Sequence, residues 1–354
     1  MTSVPLSVET LIWLGSFVLA LLIATIVLTM GRSMISARHG VQVDQKRSAL
    51  RQDVFRYLQS DSTDPDALIA GLTMVERTAL REIIEEILLH FRGRNQVQVR
   101  HIARALGLER KAFQEFETGE RYEQLHALYW FWLLETPIDR DRMIEKSCGD
   151  TDTEAAAAQV LLASDDDDIA APTIELLLSR GQSLSVMGMD ALYEIHNDDP
   201  TALFAYVANE TTDWSESLLI QVFEVISYAA PVGSAVSLEW VIARTSHESA
   251  DVRAAAFNAL SEYGWRDDVR TGVDWERAVR DESAAVRKVV YRVLGRWDDR
   301  VNSTAIAALY DDPDDRARVA GVDSLYEDVD REELAPSPQI RKALDWVKLN
   351  SAFG

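Results

Sequence analysis

The chain has 354 residues, 47% of them hydrophobic, and a net charge of −22 from 36 basic and 58 acidic side chains. That length and apolar content can bury a sizeable core, while so large an acidic excess disfavours nucleic acid unless basic residues are segregated somewhere. The single cysteine, Cys148, excludes an intrachain disulfide and suits a reducing compartment.

Only 6 of the 36 basic residues are lysine. An acidic, lysine-poor surface is what a salt-saturated cytosol favours, so the composition points to a halophilic, archaeal source. The charge is also unevenly spread. From Arg32 to Ala112 there are 14 basic and 10 acidic residues, and from Phe113 onward 22 against 47.

Residues 1–10 read as a short extracytoplasmic N-terminus. Leu11 to Met30 is an uncharged apolar stretch, LIWLGSFVLALLIATIVLTM. At 1.5 Å per residue a helix of that length matches the hydrocarbon thickness of a bilayer, about 30 Å. The run lacks a basic leader and a small-residue cleavage site, so a permanent transmembrane helix is expected rather than a signal peptide. Arg32, Arg38, Lys46, Arg47 and Arg51 follow it and no basic residue precedes it. The positive-inside rule then predicts a single-pass protein of the cell membrane with its N-terminus outside and its C-terminal domain cytoplasmic. The same basic cluster is suited to anionic headgroups.

Residues 31–120 are expected to form a cytoplasmic helical linker. Gln42–Ser60 reads as a helix, and Asp61–Pro65 as a turn capping the next one. Glu76–Phe91 carries Leu80, Ile83, Ile84, Ile87, Leu88 and Phe91 at helical spacing, and Gly93 to Asn95 ends it. Val99–Phe116 is similar to a helix-turn-helix: Ala103 lets two helices cross, Gly107 turns the chain, and Phe113 and Phe116 pin the second helix. Arg110 and Lys111 would then face phosphate, although Glu109, Glu115 and Glu117 flank them. Any tight helical hairpin needs the same residues.

Arg121–Glu135 contains Tyr122 and four consecutive aromatics, Tyr129, Trp130, Phe131 and Trp132. Four in a row cannot share one helix face. Burial between packed units is one reading. The other makes Tyr129, Trp130 and Trp132 an anchor for a partner, since such residues dominate hot spots. Helix-pair spacing continues through Ile138–Cys148 and Glu154–Leu162, Ile169–Ser179 and Leu184–Ile195, and Ala202–Ala208 and Ser215–Tyr228.

From Ser246 the sequence repeats itself. His247 to Arg253, Asp281 to Arg287 and Asp312 to Arg318 superimpose, each followed by apolar or small residues four and eight positions on. These series are Val252/Ala256/Leu260, Val286/Val290/Leu294 and Ala317/Gly321/Leu325. Spacings of 34 and 31 residues mean stacked helical hairpins. Here the chain resembles the HEAT-repeat family. The resemblance is specific over about residues 234–328 and implies a HEAT-like α-solenoid over 121–335, with residues 336–354 holding a C-terminal capping helix. It also implies an inter-repeat ladder of Arg253, Asp281, Arg287, Asp312 and Arg318, in which His247 stands where the first aspartate would be. The fold class expected is therefore all-α: transmembrane helix, helical linker, solenoid.

Asp165–Asp168 and the pairs Asp267/Asp268, Asp298/Asp299 and Asp311/Asp312 read as solvated turns. No metal-ligand spacing, phosphate-binding loop or nucleophile motif is present, and Cys148 has no partner histidine. We therefore expect no enzyme, no cofactor and no metal. The expected function is a membrane-anchored scaffold for protein–protein interaction, with no nucleic acid bound. The order of anchor, linker, aromatic-rich first unit and repeats also looks like bacterial and archaeal proteins thought to accompany membrane polysaccharide synthases. That resemblance implies an integral membrane partner such as a polysaccharide synthase or glycosyltransferase. The alternatives are a membrane-tethered DNA-binding regulator using residues 99–116, and a hydrolase in the acidic loops.

Overall fold

The computed structural model describes residues 47, 49–59, 64–90, 94–164, 168–209, 213–229, 231–297, 301–325 and 338–351. Every regular element among them is a helix. The expected membrane span Leu11–Met30, with Arg32, Arg38 and Lys46 behind it, lies outside the described residues, as do Asp165, Asp166, Asp167, Asp298 and Asp299. Among the described residues no helix is long and apolar enough to cross a membrane.

The chain divides into two compact units, one ending at Glu115 and the other starting at Phe116. The division falls inside a helix, upstream of the turn at residue 120 where the sequence placed it. The reason is Phe116, whose ring packs edge-on against Phe131 at 5.5 Å and so joins the second unit.

In the first unit, helix α1 (49–59) is followed by α2 (Asp66–Ile69), α3 (Met74–His90), α4 (Arg94–Ala105) and the start of α5 (Leu108–Thr118). A capping box starts α3: the Thr73 amide and hydroxyl both donate to the Glu76 carboxylate, at 2.9 and 2.8 Å. Its buried stripe is Leu80, Ile83, Ile84, Ile87 and Leu88, and α4 packs on it. Arg47 and Arg51 both bond Glu86, at 2.7 and 2.5 Å, so these two members of the basic flank are already engaged.

The second unit is two layers of helices. One layer holds α6 (Arg121–Leu134), α8 (Thr151–Leu162), α10 (Val186–Asp198), α12 (Glu216–Tyr228), α14 (Ala250–Ala259), α17 (Ala284–Arg296), α19 (Asp315–Leu325) and α20 (Pro338–Ser351). Each packs on the one before and the one after it in that series. The other layer holds α7 (Arg140–Ser147), α9 (Ala170–Leu178), α11 (Pro200–Asn209), α13 (Glu239–Arg244), α15 (Asp267–Gly272), α16 (Trp275–Ala278) and α18 (Val301–Asp311). Such neighbour-on-neighbour packing is solenoid-like. One core runs between the layers from Ala158 to Ala343.

Side-chain oxygens start several of these helices. Asp139, Asp150, Ser185 and Ser215 each accept from a backbone amide three residues on, which satisfies a donor the first turn leaves orphaned. At the far end, Ile340 and Ala343 of α20 are buried against α19 and close the last apolar face.

The second-layer element between α14 and α17 is broken into three short pieces, a 3-10 turn at Ser261–Tyr263, then α15 and α16. Bulky rings fill the breaks. Trp275 packs edge-on against Trp297 at 4.8 Å, and Trp297 Nε1 donates to the Ser261 carbonyl at 2.8 Å. Gly295 lets α17 and α19 meet backbone to side, since a methyl there would collide with the Ser324 carbonyl.

Candidate binding face of the second unit

The repeated residues meet in buried rungs. Arg253 presents Nε and Nη2 to the two Asp281 carboxylate oxygens, both at 2.8 Å. Arg287 does the same to Asp312, again at 2.8 Å twice. Each arginine thus forks onto the aspartate of the following repeat, and Arg287 passes over Asp281, the aspartate six residues before it. From the earlier turn each takes backbone carbonyls instead: Arg253 Nη1 donates to His247 and Glu248, and Arg287 Nη1 to Asp281 and Glu282. Bidentate pairing of this kind is the strongest geometry open to the two side chains. Arg318 continues the pattern only in part. It bonds the Asp312 carbonyl and the exposed Asp315 carboxylate.

His247 fills the turn role of the missing aspartate. Its Nδ1 accepts from the Ser249 amide at 3.1 Å, as Asp281 accepts from Ser283 at 2.8 Å and Asp312 from Asp314 at 2.9 Å. Asp312 itself is fully buried rather than solvated, correcting the reading of the Asp311/Asp312 pair as an open turn. Burial pushes its carboxyl up, but Arg287, the Asp314 amide and the Tyr291 hydroxyl at 2.9 Å outweigh that and hold it below the usual carboxylate range. Tyr291, buried and facing this carboxylate, is pushed up. Asp268, of the other pair, bonds Arg266, which holds it low.

The aromatic run of α6 splits between two faces. Leu125, Leu128, Tyr129 and Trp132 lie along one stripe and open into a groove of about 680 Å³ shared with α8 and α10. Trp130 is not part of it. That side chain is 2% exposed, with Nε1 donating to His126 at 3.1 Å, so it belongs to the core and is corrected as a contact candidate. A helix turn of 100° per residue puts 129 and 132 on one side and 130 and 131 on the other. Trp132 is 41% exposed and Met187 across the groove 49%.

Among the described residues no lysine or arginine lines this groove, whereas Asp152, Asp190 and Glu194 do. Arg121 takes Asp152 at 2.6 Å. Asp190 and Glu194, one turn apart on α10, have no partner among the described residues. The sequence held this signal, an acidic i, i+4 pair beside exposed apolar residues, but it shows only once α10 is set against α6.

In the hairpin of α4 and α5, Ala103 is buried and Gly107 turns the chain at φ 78°. Lys111 is taken up by Glu115 at 3.2 Å and Arg104 by Glu109 at 3.3 Å, whereas Arg110 has no partner among the described residues. Cys148 is exposed, and partial burial together with Glu154 pushes its thiol up, away from the nucleophilic thiolate. Among the described residues no three histidine, cysteine or carboxylate side chains are grouped to hold a metal.

No family model, no curated protein and no solved structure matches the chain.

Proposed function

We propose that this protein is a HEAT-like scaffold, anchored to the membrane through Leu11–Met30, that binds a segment of another protein along the α6/α8/α10 face. The observation that carries this reading is the groove itself, with Trp132 and Met187 exposed in it, Tyr129 half-buried beside them, and Asp190 and Glu194 without a partner among the described residues at its edge. Apolar floor and anionic rim fit a basic amphipathic helix, which lays its apolar stripe into a groove and its cations on the rim. Tethering to a bilayer raises effective concentration only for targets held at the same surface, so an integral membrane partner is the natural class. A polysaccharide synthase or glycosyltransferase is one such partner.

The test places a photo-crosslinking residue at Met187 in the full-length protein, with the same residue at exposed Tyr228 as control. The reading expects one membrane protein, crosslinked through a basic amphipathic stretch from position 187 alone. Capture should fall when residues 1–31 are removed. Equal yields from both positions, or a partner segment without basic residues, would contradict it.

A further inference from the structure

The far end of the same layer carries a groove of the opposite charge. About 630 Å³ in size, it is formed by α17, α19 and α20, with α19 between the other two. Lys288 and Arg292 stand one turn apart on α17, and Lys342 and Trp346 one turn apart on α20. Arg316 and Arg318 rise from α19 beside Val319 and Ala320. Cations thus stand on all three helices, a pair on α17, a pair on α19 and Lys342 on α20, beside the apolar Val319, Ala320 and Ala343.

Arg318 is committed to the Asp312 carbonyl and Asp315, but Lys288, Arg292, Arg316 and Lys342 have no ion-pair or hydrogen-bond partner among the described residues. Among the described residues Asp323 is the only other carboxylate lining the groove. In a chain of net charge −22, where other arginines of this unit such as Arg253, Arg287 and Arg142 are paired, such a concentration of free cations is out of keeping with its surroundings. Trp346 is 56% exposed at one wall and adds an aromatic surface.

We propose that this groove is a second binding site, which takes an acidic peptide segment bearing apolar side chains. Carboxylates would meet Lys288, Arg292, Arg316 and Lys342, and the apolar side chains would meet Val319, Ala320, Ala343 and Trp346. A nucleic-acid duplex carries one charge per about 1.7 Å and would extend past the groove onto the acidic remainder of the unit. A flat bilayer would not enter a cleft between helices. The site differs from the α6/α8/α10 groove in charge and in ligand, and does not rest on it.

The test is fluorescence anisotropy with a labelled peptide of glutamates and spaced leucines, titrated with full-length protein. It is run at the lowest salt that leaves the helical circular dichroism intact. The glutamate peptide should bind and its glutamine counterpart should not. Lys288→Glu/Arg292→Glu and, separately, Lys342→Glu should each weaken binding by about tenfold or more, a loss of about 1.4 kcal/mol. Arg277→Glu, an exposed change outside the groove, should leave it as in wild type. Lys342→Gln, which adds no new charge, should fall between wild type and Lys342→Glu and guards against misfolded variants. Equal binding of the glutamine peptide would overturn the proposal, as would indifference to the α17 and α20 substitutions. So would tighter binding, through these same residues, of an oligonucleotide or of phosphatidylglycerol vesicles.

Discussion

Arg287 illustrates how much one side chain can hold. It joins three backbone or side-chain sites, and its removal would leave the Asp312 carboxylate buried with only Tyr291 and an amide to face it. Breaking a buried pair from one side costs about 3–5 kcal/mol. Arg287→Ala should therefore lower stability in urea by about that much. Arg318→Ala, whose carboxylate partner is exposed, should cost about 1 kcal/mol or less. Asp312 also sets a low-pH limit. Its folded-state pKa lies below the unfolded value of about 3.9, so its contribution is present above that value and is lost as the pH falls through the folded one.

His196 acts at milder pH. It is fully buried beside Phe204, and neither ring nitrogen has a hydrogen-bond partner. Burial lowers its pKa from 6.5 to about 4, with Asp199 opposing. Between those values the unfolded chain binds a proton that the folded one refuses. Stability is thus full above about 6.5 and falls as the pH drops to about 4, by about 3 kcal/mol at most. His196→Leu should remove this loss and be neutral or stabilising at pH 7, because no hydrogen bond is broken. Melting curves of both proteins from pH 7 to 4 check it: parallel declines would show that His196 is not the titrating group.

At the scale of helices, glycine marks the tightest approach. Gly295→Ala adds about 1 kcal/mol of helix propensity yet forces the new methyl into the Ser324 carbonyl of α19. Overpacking of this kind costs about 1–3 kcal/mol, so the variant should melt lower than wild type. A higher melting temperature would mean that α17 and α19 can separate freely. Elements of this kind differ in how far the sequence shows them. The stripes of α14, α17 and α19 are legible because Val252, Val286 and Ala317 recur at a fixed offset, and all three are buried. Which aspartate Arg287 takes is not legible, since Asp281 and Asp312 both stand at plausible distances along the chain. The division of Tyr129–Trp132 into one exposed, one half-buried and two buried rings likewise depends on what α8 and α10 present to α6. Residues 261–279 escape a periodic reading altogether. Their helices are too short to show a period, and the Trp275–Trp297 contact that fixes them is long-range.

For the whole molecule, charge is the dominant variable. The carboxylates that follow Phe113 outnumber the cations 47 to 22, and they repel over about 30 Å in 10 mM salt but only about 3 Å in 1 M. Helical circular dichroism should therefore decline as salt is withdrawn, and an unchanged spectrum from molar to millimolar salt would contradict the halophilic reading. Along one layer of the second unit the surface also changes sign, from the carboxylates at α10 to the cations of α17, α19 and α20. The central claim is that the first of these grooves recognises a basic amphipathic segment. Its most direct test is the affinity of the full-length protein for a lysine–leucine amphipathic helix, compared with Asp190→Lys/Glu194→Lys and with Trp132→Ala. The account predicts saturable binding that each variant weakens by about tenfold or more, with circular dichroism unchanged. Identical affinity in all three proteins would place the interaction elsewhere and contradict it.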